Sequence, residues 1–114
     1  LPEQKFYLGF YVKDELVVLV DLVLDHPKAN CAWLGLVMTE KTKLRQHYAT
    51  KVLTALKAAL KREGYKELLT SSALSDVNAQ GFLNALGFEQ GMVTWVYDPK
   101  LGHDIQVVLR GIEL

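Results

Sequence analysis

Residues 44–50, Leu44-Arg45-Gln46-His47-Tyr48-Ala49-Thr50, lead into an apolar stripe at helical spacing, so they sit where a helix begins. The first backbone N–H groups of a helix have no partner within it and carry about half a positive charge. A helix start is therefore a natural place for a phosphate. Ala49 is small enough to let an anion approach the backbone, and Thr50 adds a hydroxyl. The surroundings have the matching sign: residues 41–66 hold Lys41, Lys43, Arg45, Lys51, Lys57, Lys61, Arg62 and Lys66 against a single acid, Glu63. Because the whole chain carries 13 basic and 13 acidic side chains, the remainder is correspondingly acidic. A pyrophosphate suits this distribution, and so does a plain solvated helix face built from good helix formers.

A second kind of chemistry, proton abstraction, rests on acids and histidines. Asp21 and Asp25 fall on one strand-like run, and alternation from Val20 and Leu22 places Asp21 on the opposite face from its neighbours. The plainer expectation is that both aspartates are solvent-facing positions of a half-buried strand. His26, His47 and His103 are scattered without HxxH or HExxH spacing, so no metal is expected. The Ser71-Ser72 pair and Cys31 lack a GxSxG elbow or a recognisably placed histidine, which argues against a covalent intermediate. Hydroxyls at a strand end usually bond loop backbone instead.

The elements that must position these residues follow from composition and period. A chain of 114 residues, half of them apolar and 23% charged, is one domain in size and too ordered in composition for disorder. Its formal net charge of zero argues against a nucleic-acid binder. The apolar runs are strand-sized, well short of the roughly 20 residues of a membrane span. A single cysteine cannot staple the fold, which favours a reducing, cytoplasmic setting. Strands are expected over residues 6–12 and 16–25, joined through Lys13-Asp14-Glu15 as a hairpin, and over 31–39 with Gly35 inside. A glycine within a strand marks a bulge or a close approach to the backbone. Val52, Leu53, Leu56, Ala59 and Leu60 form one helical stripe closed by Gly64. Residues 66–71 read as a strand, 76–86 as a second helix closed by Gly87, and 88–98 and 104–112 as two further strands. The order β-β-β-α-β-α-β-β is an α/β arrangement: a mixed sheet with helices packed on it. The aromatic residues Phe6, Tyr7, Phe10, Tyr11, Trp33, Trp95 and Tyr97 are strand-spaced and read as core or sheet surface.

In that order the motifs resemble the GNAT N-acetyltransferases. "LRQHYATKVL" is similar to the family's R/Q-x-x-G-x-G/A acetyl-CoA signature, with Ala49 on the final G/A position and Thr50 after it. "AWLGLVMT" resembles the bulged strand that precedes the signature, "REGYKELLTSS" the helix exit and next strand, and "NAQGFLNALGFEQ" the closing N-x-x-A-x-x-F-Y-x-x-LGF segment. Four departures stand out: His47 replaces the middle glycine, Leu44 the leading Arg/Gln, Asp76 the asparagine (with Asn78 two residues on), and Leu83 the tyrosine that protonates the departing thiolate in many members. A residue with a Cβ at the glycine position limits how closely a phosphate can approach.

The resemblance implies a single GNAT-like domain over residues 1–114, lacking the family's first strand and the two helices after it. It implies transfer of an acetyl group from acetyl-CoA, the co-substrate, to the amine of a small molecule or peptide by direct attack. By the same resemblance, Val37, Met38 and Thr39 hold pantetheine and the thioester. Arg45, Gln46, His47, Tyr48, Ala49 and Thr50 surround the pyrophosphate, with Asn78 a further cofactor contact, and Asp21 or Asp25 is the acid that takes the amine proton. A catalytically silent acyl-CoA-binding or regulatory module is the alternative, favoured by Leu83 and His47. Neither nucleic acid nor membrane is an expected partner, and a homo-oligomer is a possible assembly because the first expected strand would have an uncovered edge.

Overall fold

The computed structural model describes residues 4–39 and 48–114. Along the chain run β1 (Gln4–Val12), β2 (Glu15–Leu24), β3 (Cys31–Thr39), α1 (Tyr48–Arg62), β4 (Glu67–Ala73), α2 (Val77–Ala85), β5 (Glu89–Asp98) and β6 (His103–Glu113). The strands form one mixed six-stranded sheet in the order β1-β2-β3-β4-β6-β5. Helix α1 separates β3 from β4, its neighbour in the sheet, and a crossover of this length is what lets consecutive neighbours run the same way. The chain divides into two compact units, Leu1–Leu68 with Glu113–Leu114, and Leu69–Ile112.

In the first unit β1 and β2 pair antiparallel, and the turn between them has two residues, not the three that the sequence suggests. Lys13 and Asp14 both adopt positive φ, 49° and 66°, which reverses the chain with the twist a hairpin needs, and Glu15 is then free to pair with Val12. A bulge between Phe10 and Tyr11 makes Val17 an extra residue of β2, so Val17 and Val18 are both buried although adjacent. Beyond the bulge β2 alternates: Val18, Val20 and Leu22 are buried. Helix α1 lies against β2 and β3 and buries Val52, Leu53, Leu56 and Leu60 of the stripe read from the sequence, with its fifth member, Ala59, half-buried. Each such side chain contributes about 1.5–3 kcal/mol on leaving water.

Both helices end the same way. Gly64, at φ 91°, donates to Lys61 O while Tyr65 N–H reaches back to Leu60 O. Gly87, also at φ 91°, donates to Asn84 O while Phe88 N–H reaches Leu83 O. This pair of bonds satisfies the last carbonyls and requires a left-handed residue, which glycine supplies without strain. In the second unit the Asp76 carboxylate caps α2 by accepting the Ala79 N–H at 3.0 Å. Strands β5 and β6 pair antiparallel and bury Val107 and Val108, whereas Trp95 and Tyr97 of β5 stay exposed. Of the two places offered for the aromatic residues, these take the sheet surface.

Gly35 shows why the β2–β3 ladder shifts register. Asp21 pairs with Leu36 and Leu22 with Leu34, so Gly35 is the extra residue of a second bulge. A Cβ on Gly35 would stand 3.2 Å from Asp21 Cγ and 3.4 Å from each carboxylate oxygen. The close approach, not a left-handed φ, is what selects glycine here. Gly35→Ala is expected to cost about 1–3 kcal/mol by overpacking, and most of that cost should vanish in an Asp21→Ala background. A denaturation double-mutant cycle measures this; equal costs in both backgrounds would show that the carboxylate is not the obstacle.

Candidate functional site

The helix start and the strand before it both belong to the first unit. Val37, Met38 and Thr39 end β3, and their backbones pair in register with Val20, Leu19 and Val18 of β2. Tyr48, Ala49 and Thr50 open α1, whose first turn contains no acidic residue. The Lys51 ammonium stands 5.7 Å from the centre of the Tyr48 ring, and Thr54 Oγ1 donates to Thr50 O at 2.8 Å. Lys61 and Arg62 occupy the last turn, where the negative end of the helix favours them. Arg45, Gln46 and His47 lie outside the described residues, as do Lys41 and Lys43.

The two aspartates separate clearly. Asp25 accepts the Asn30 N–H at 3.1 Å and closes the loop between β2 and β3, which His26 N–H also ties to Cys31 O. Its carboxylate is used in the turn. Asp21 lies on the face of β2 opposite Val20 and Leu22, as alternation requires, but it is not simply a solvated residue. Its side chain is 19% exposed, its Oδ2 stands 3.4 Å from Lys5 Nζ, and its Oδ1 is buried without a hydrogen-bond partner among the described residues. Lys5 is held above the ordinary lysine range, first by Tyr7 and then by Asp21. Leaving a buried carboxylate oxygen unpaired costs free energy, and such atoms concentrate at sites with a chemical task. Asp21 pairs with Leu36, one residue before Val37, so its carboxylate lies beside the strand that carries the proposed thioester contacts.

The described histidines, Cys31 and Ser72 are engaged in packing and hydrogen bonds. His26 packs edge-on against the Trp33 ring at 5.7 Å, and His103 Nδ1 lies 3.0 Å from Asp104 O. Cys31 is buried, with its thiol 3.7 Å from Glu67 Oε1, and burial first and the Glu67 charge second push its pKa up. A thiol held neutral in this way is a poor nucleophile. Ser72 Oγ accepts from Gln80 Nε2 at 2.9 Å. In the second unit Asn78 is an exposed residue of the first turn of α2, next to the capping Asp76, and Leu83 is buried.

The second unit also holds a device that the sequence reading missed. Arg110 of β6 is only 4% exposed. Its Nε and one terminal nitrogen both donate to Gln80 Oε1, at 2.9 and 2.7 Å, and the other terminal nitrogen donates to Asn84 Oδ1 at 2.6 Å and Phe88 O at 3.2 Å. Gln80 Nε2 passes the network on to Ala73 O at 2.7 Å as well as to Ser72. A cation two residues from Val108, on the same strand face, was the available signal.

With this geometry in hand, comparison with known proteins is informative. The model of the acetyltransferase (GNAT) family matches residues 1–88. No curated protein sequence matches the chain. Among solved structures, the ribosomal-protein-S18-alanine N-acetyltransferase from Escherichia coli superposes with a TM-score of 0.77 at 16% identity, over 94% of this chain and 68% of that one. An IAA acetyltransferase from Bacillus cereus gives 0.81 at 13% identity, over 96% and 78%. A Bacillus subtilis acetyltransferase in complex with CoA gives 0.74 at 10% identity, over 91% and 73%. At these identities the likeness is one of fold.

The Arg110 network yields a direct test. Arg110→Met removes a buried cation but strands the Gln80 and Phe88 acceptors, so a net loss of about 2–3 kcal/mol is expected on chemical denaturation. Arg110→Lys should recover only part of it, because an ammonium cannot serve three acceptors with the planar fork of a guanidinium. A loss under about 0.5 kcal/mol for Arg110→Met would show that the network adds nothing beyond an ordinary surface position.

Proposed function

We propose that this chain, which belongs to the GNAT acetyltransferase family, transfers an acetyl group from acetyl-CoA to an amine by direct attack. The observation that carries this reading is the bulged strand β3 together with the first turn of α1, which offers the small Ala49 and the Thr50 hydroxyl and has no acid. Backbone groups of Val37, Met38 and Thr39 would hold pantetheine and polarise the thioester carbonyl. The N–H groups of residues 46–50, the Thr50 hydroxyl and Arg45 would take the pyrophosphate, with His47 and Tyr48 beside it and Asn78 a further contact. Lys51 adds positive charge at the same helix end.

In the reaction the amine nitrogen attacks the thioester carbon, the carbon–sulfur bond breaks, and CoA leaves as thiolate. The amine proton passes to a base, and the thiolate takes a proton from water or from the same base. Asp21 is the base we assign to the first transfer, because Asp25 accepts the Asn30 N–H in its turn, whereas Asp21 has, among the described residues, a buried oxygen without a hydrogen-bond partner. Positioning and carbonyl polarisation would supply most of the rate. The acceptor is the amine of a small molecule or peptide, and a cytoplasmic setting fits the single reduced cysteine. No helix among the described residues is long and apolar enough to cross a membrane.

Leu83 favours one second reading, a silent acyl-CoA-binding module of the same fold, since a buried leucine cannot donate a proton. Turnover of acetyl-CoA across a panel of amines separates the two.

Two outcomes are expected. Acetyl-CoA at 100 times its dissociation constant should add about 2.7 kcal/mol of stability, and Ala49→Glu should abolish that gain by placing bulk and negative charge at the helix start. Unchanged binding of CoA by Ala49→Glu in calorimetry would overturn the site. Asp21→Asn should lower kcat by about 10²- to 10⁴-fold, while cofactor stabilisation stays intact. Full turnover in that variant would remove Asp21 from the mechanism.

A further inference from the structure

Tyr7 pairs directly across from Asp21, and Lys5 pairs with Val23, so Lys5, Tyr7 and Asp21 share one face of the β1–β2 ladder. Directly opposed residues are neighbours on a sheet, and a diagonal neighbour is within reach of a long side chain. Lys5 uses that reach: its Nζ stands 3.4 Å from Asp21 Oδ2 and 5.2 Å from the centre of the Tyr7 ring. A carboxylate and an aromatic face are the two groups that hold an ammonium best. The site has capacity beyond Lys5, because Asp21 Oδ1 is buried without a hydrogen-bond partner among the described residues. The two partners also differ in how firmly they are held. Asp21 lies over Gly35, whereas the Lys5 side chain is 52% exposed and the Tyr7 ring is open to solvent. An exposed ion pair is weak, because holding a long side chain in one geometry offsets much of the attraction. Lys5 can therefore leave Asp21 without disturbing the strand.

We propose that Lys5 is an internal stand-in for the acceptor: the acetyl acceptor is a primary alkylammonium that displaces Lys5 Nζ from between Asp21 and Tyr7, and Lys5 is the competitor it must beat. This inference rests on the transferase reading above, and it narrows the acceptor from any amine to one class. A primary ammonium carries three N–H donors, as Lys5 does, so it can serve both carboxylate oxygens of Asp21 while its charge faces the Tyr7 ring. A quaternary ammonium keeps the charge and has no donor for Oδ1. An alcohol of the same length has neither the charge nor the donors. The alkyl chain has a surface to follow, because Trp33 pairs with Val23 on the same face and both are half-buried. An ammonium seated there also stands beside the group assigned to take its proton.

The test uses n-butylammonium as the probe, first without acetyl-CoA. Followed by proton–nitrogen correlation NMR, it should shift the backbone amides of Tyr7, Asp21 and Gly35, and n-butanol should shift none of them. Lys5→Met and Lys5→Gln remove the competing cation at an exposed position, and each should tighten butylammonium binding by about two- to fivefold, the factor an exposed ion pair is worth. Tyr7→Ala should weaken the binding and Asp21→Asn should abolish it. Lys100→Met removes the same charge from the turn between β5 and β6 and should change nothing. With acetyl-CoA present, both Lys5 variants should lower the KM for n-butylamine by the same factor and leave the KM for acetyl-CoA unchanged. Equal butylammonium affinity in the parent and both Lys5 variants overturns the inference, and so does binding that survives Asp21→Asn. Butylammonium bound as expected with no amine turned over leaves the ammonium site standing and overturns the transferase reading. Amines turned over with no acceptor KM altered in either Lys5 variant leave that reading standing and overturn this inference.

Discussion

The burial of Val18, Val20 and Leu22 on one face of β2 determines what that strand presents on the other. Successive side chains of a strand point to opposite faces, so three positions committed to the core commit the residues between them to the far side. That is why Asp21 stands where it does. Once it is there, its carboxylate lies across the neighbouring strand, and a Cβ at Gly35 would crowd it at 3.2 Å. The bulge that accommodates Gly35 shifts the register, and Val37, Met38 and Thr39 pair with β2 in the shifted phase. The backbone that the proposed reaction would use is thus set by three aliphatic side chains on the opposite face of the adjoining strand.

The helix that follows adds a second constraint. Its buried stripe fixes which way α1 is rotated, and its Gly64 closure fixes where it ends. The cations of its last turn compensate the negative end of the helix, while its first turn carries no acid to complement the positive end. An uncompensated helix start is mildly unfavourable for folding alone. It becomes favourable when an anion arrives, so the arrangement agrees with the proposed phosphate contact without requiring any dedicated side chain.

How much of this could be read in advance depended on whether the signal was local. The stripe of α1, the glycines at 64 and 87, the bulge at Gly35 and the facing of Asp21 all follow from period or from one residue's steric needs, and the structure has each of them. The hairpin turn is one residue shorter than the sequence pattern predicts, because Lys13 and Asp14 adopt left-handed conformations more often left to Asn-Gly. The Lys5–Asp21 ion pair and the Arg110 network are not legible in the sequence. Both depend on groups 16 and 30 residues away, Lys5 and Gln80, that no pattern along the chain brings together. A sequence shows that a cation sits in an apolar strand; it does not show which acceptors will meet it.

Arg110 and Leu83 together define what α2 is for. In a low-dielectric interior a guanidinium is tolerated only with its donors engaged, and here the acceptors come from Gln80, Asn84 and the Phe88 carbonyl, with no carboxylate among those bonds. Supplying them occupies two side chains of a nine-residue helix, while Leu83 and the capping Asp76 fix its packing and its start. What remains for chemistry on α2 is the exposed Asn78. The groups on which the proposed transfer draws otherwise lie on β2, on β3 and at the start of α1. A transferase arranged in this way relies on orientation and carbonyl polarisation, and lets a thiol whose pKa is only moderately above neutrality leave without a dedicated acid.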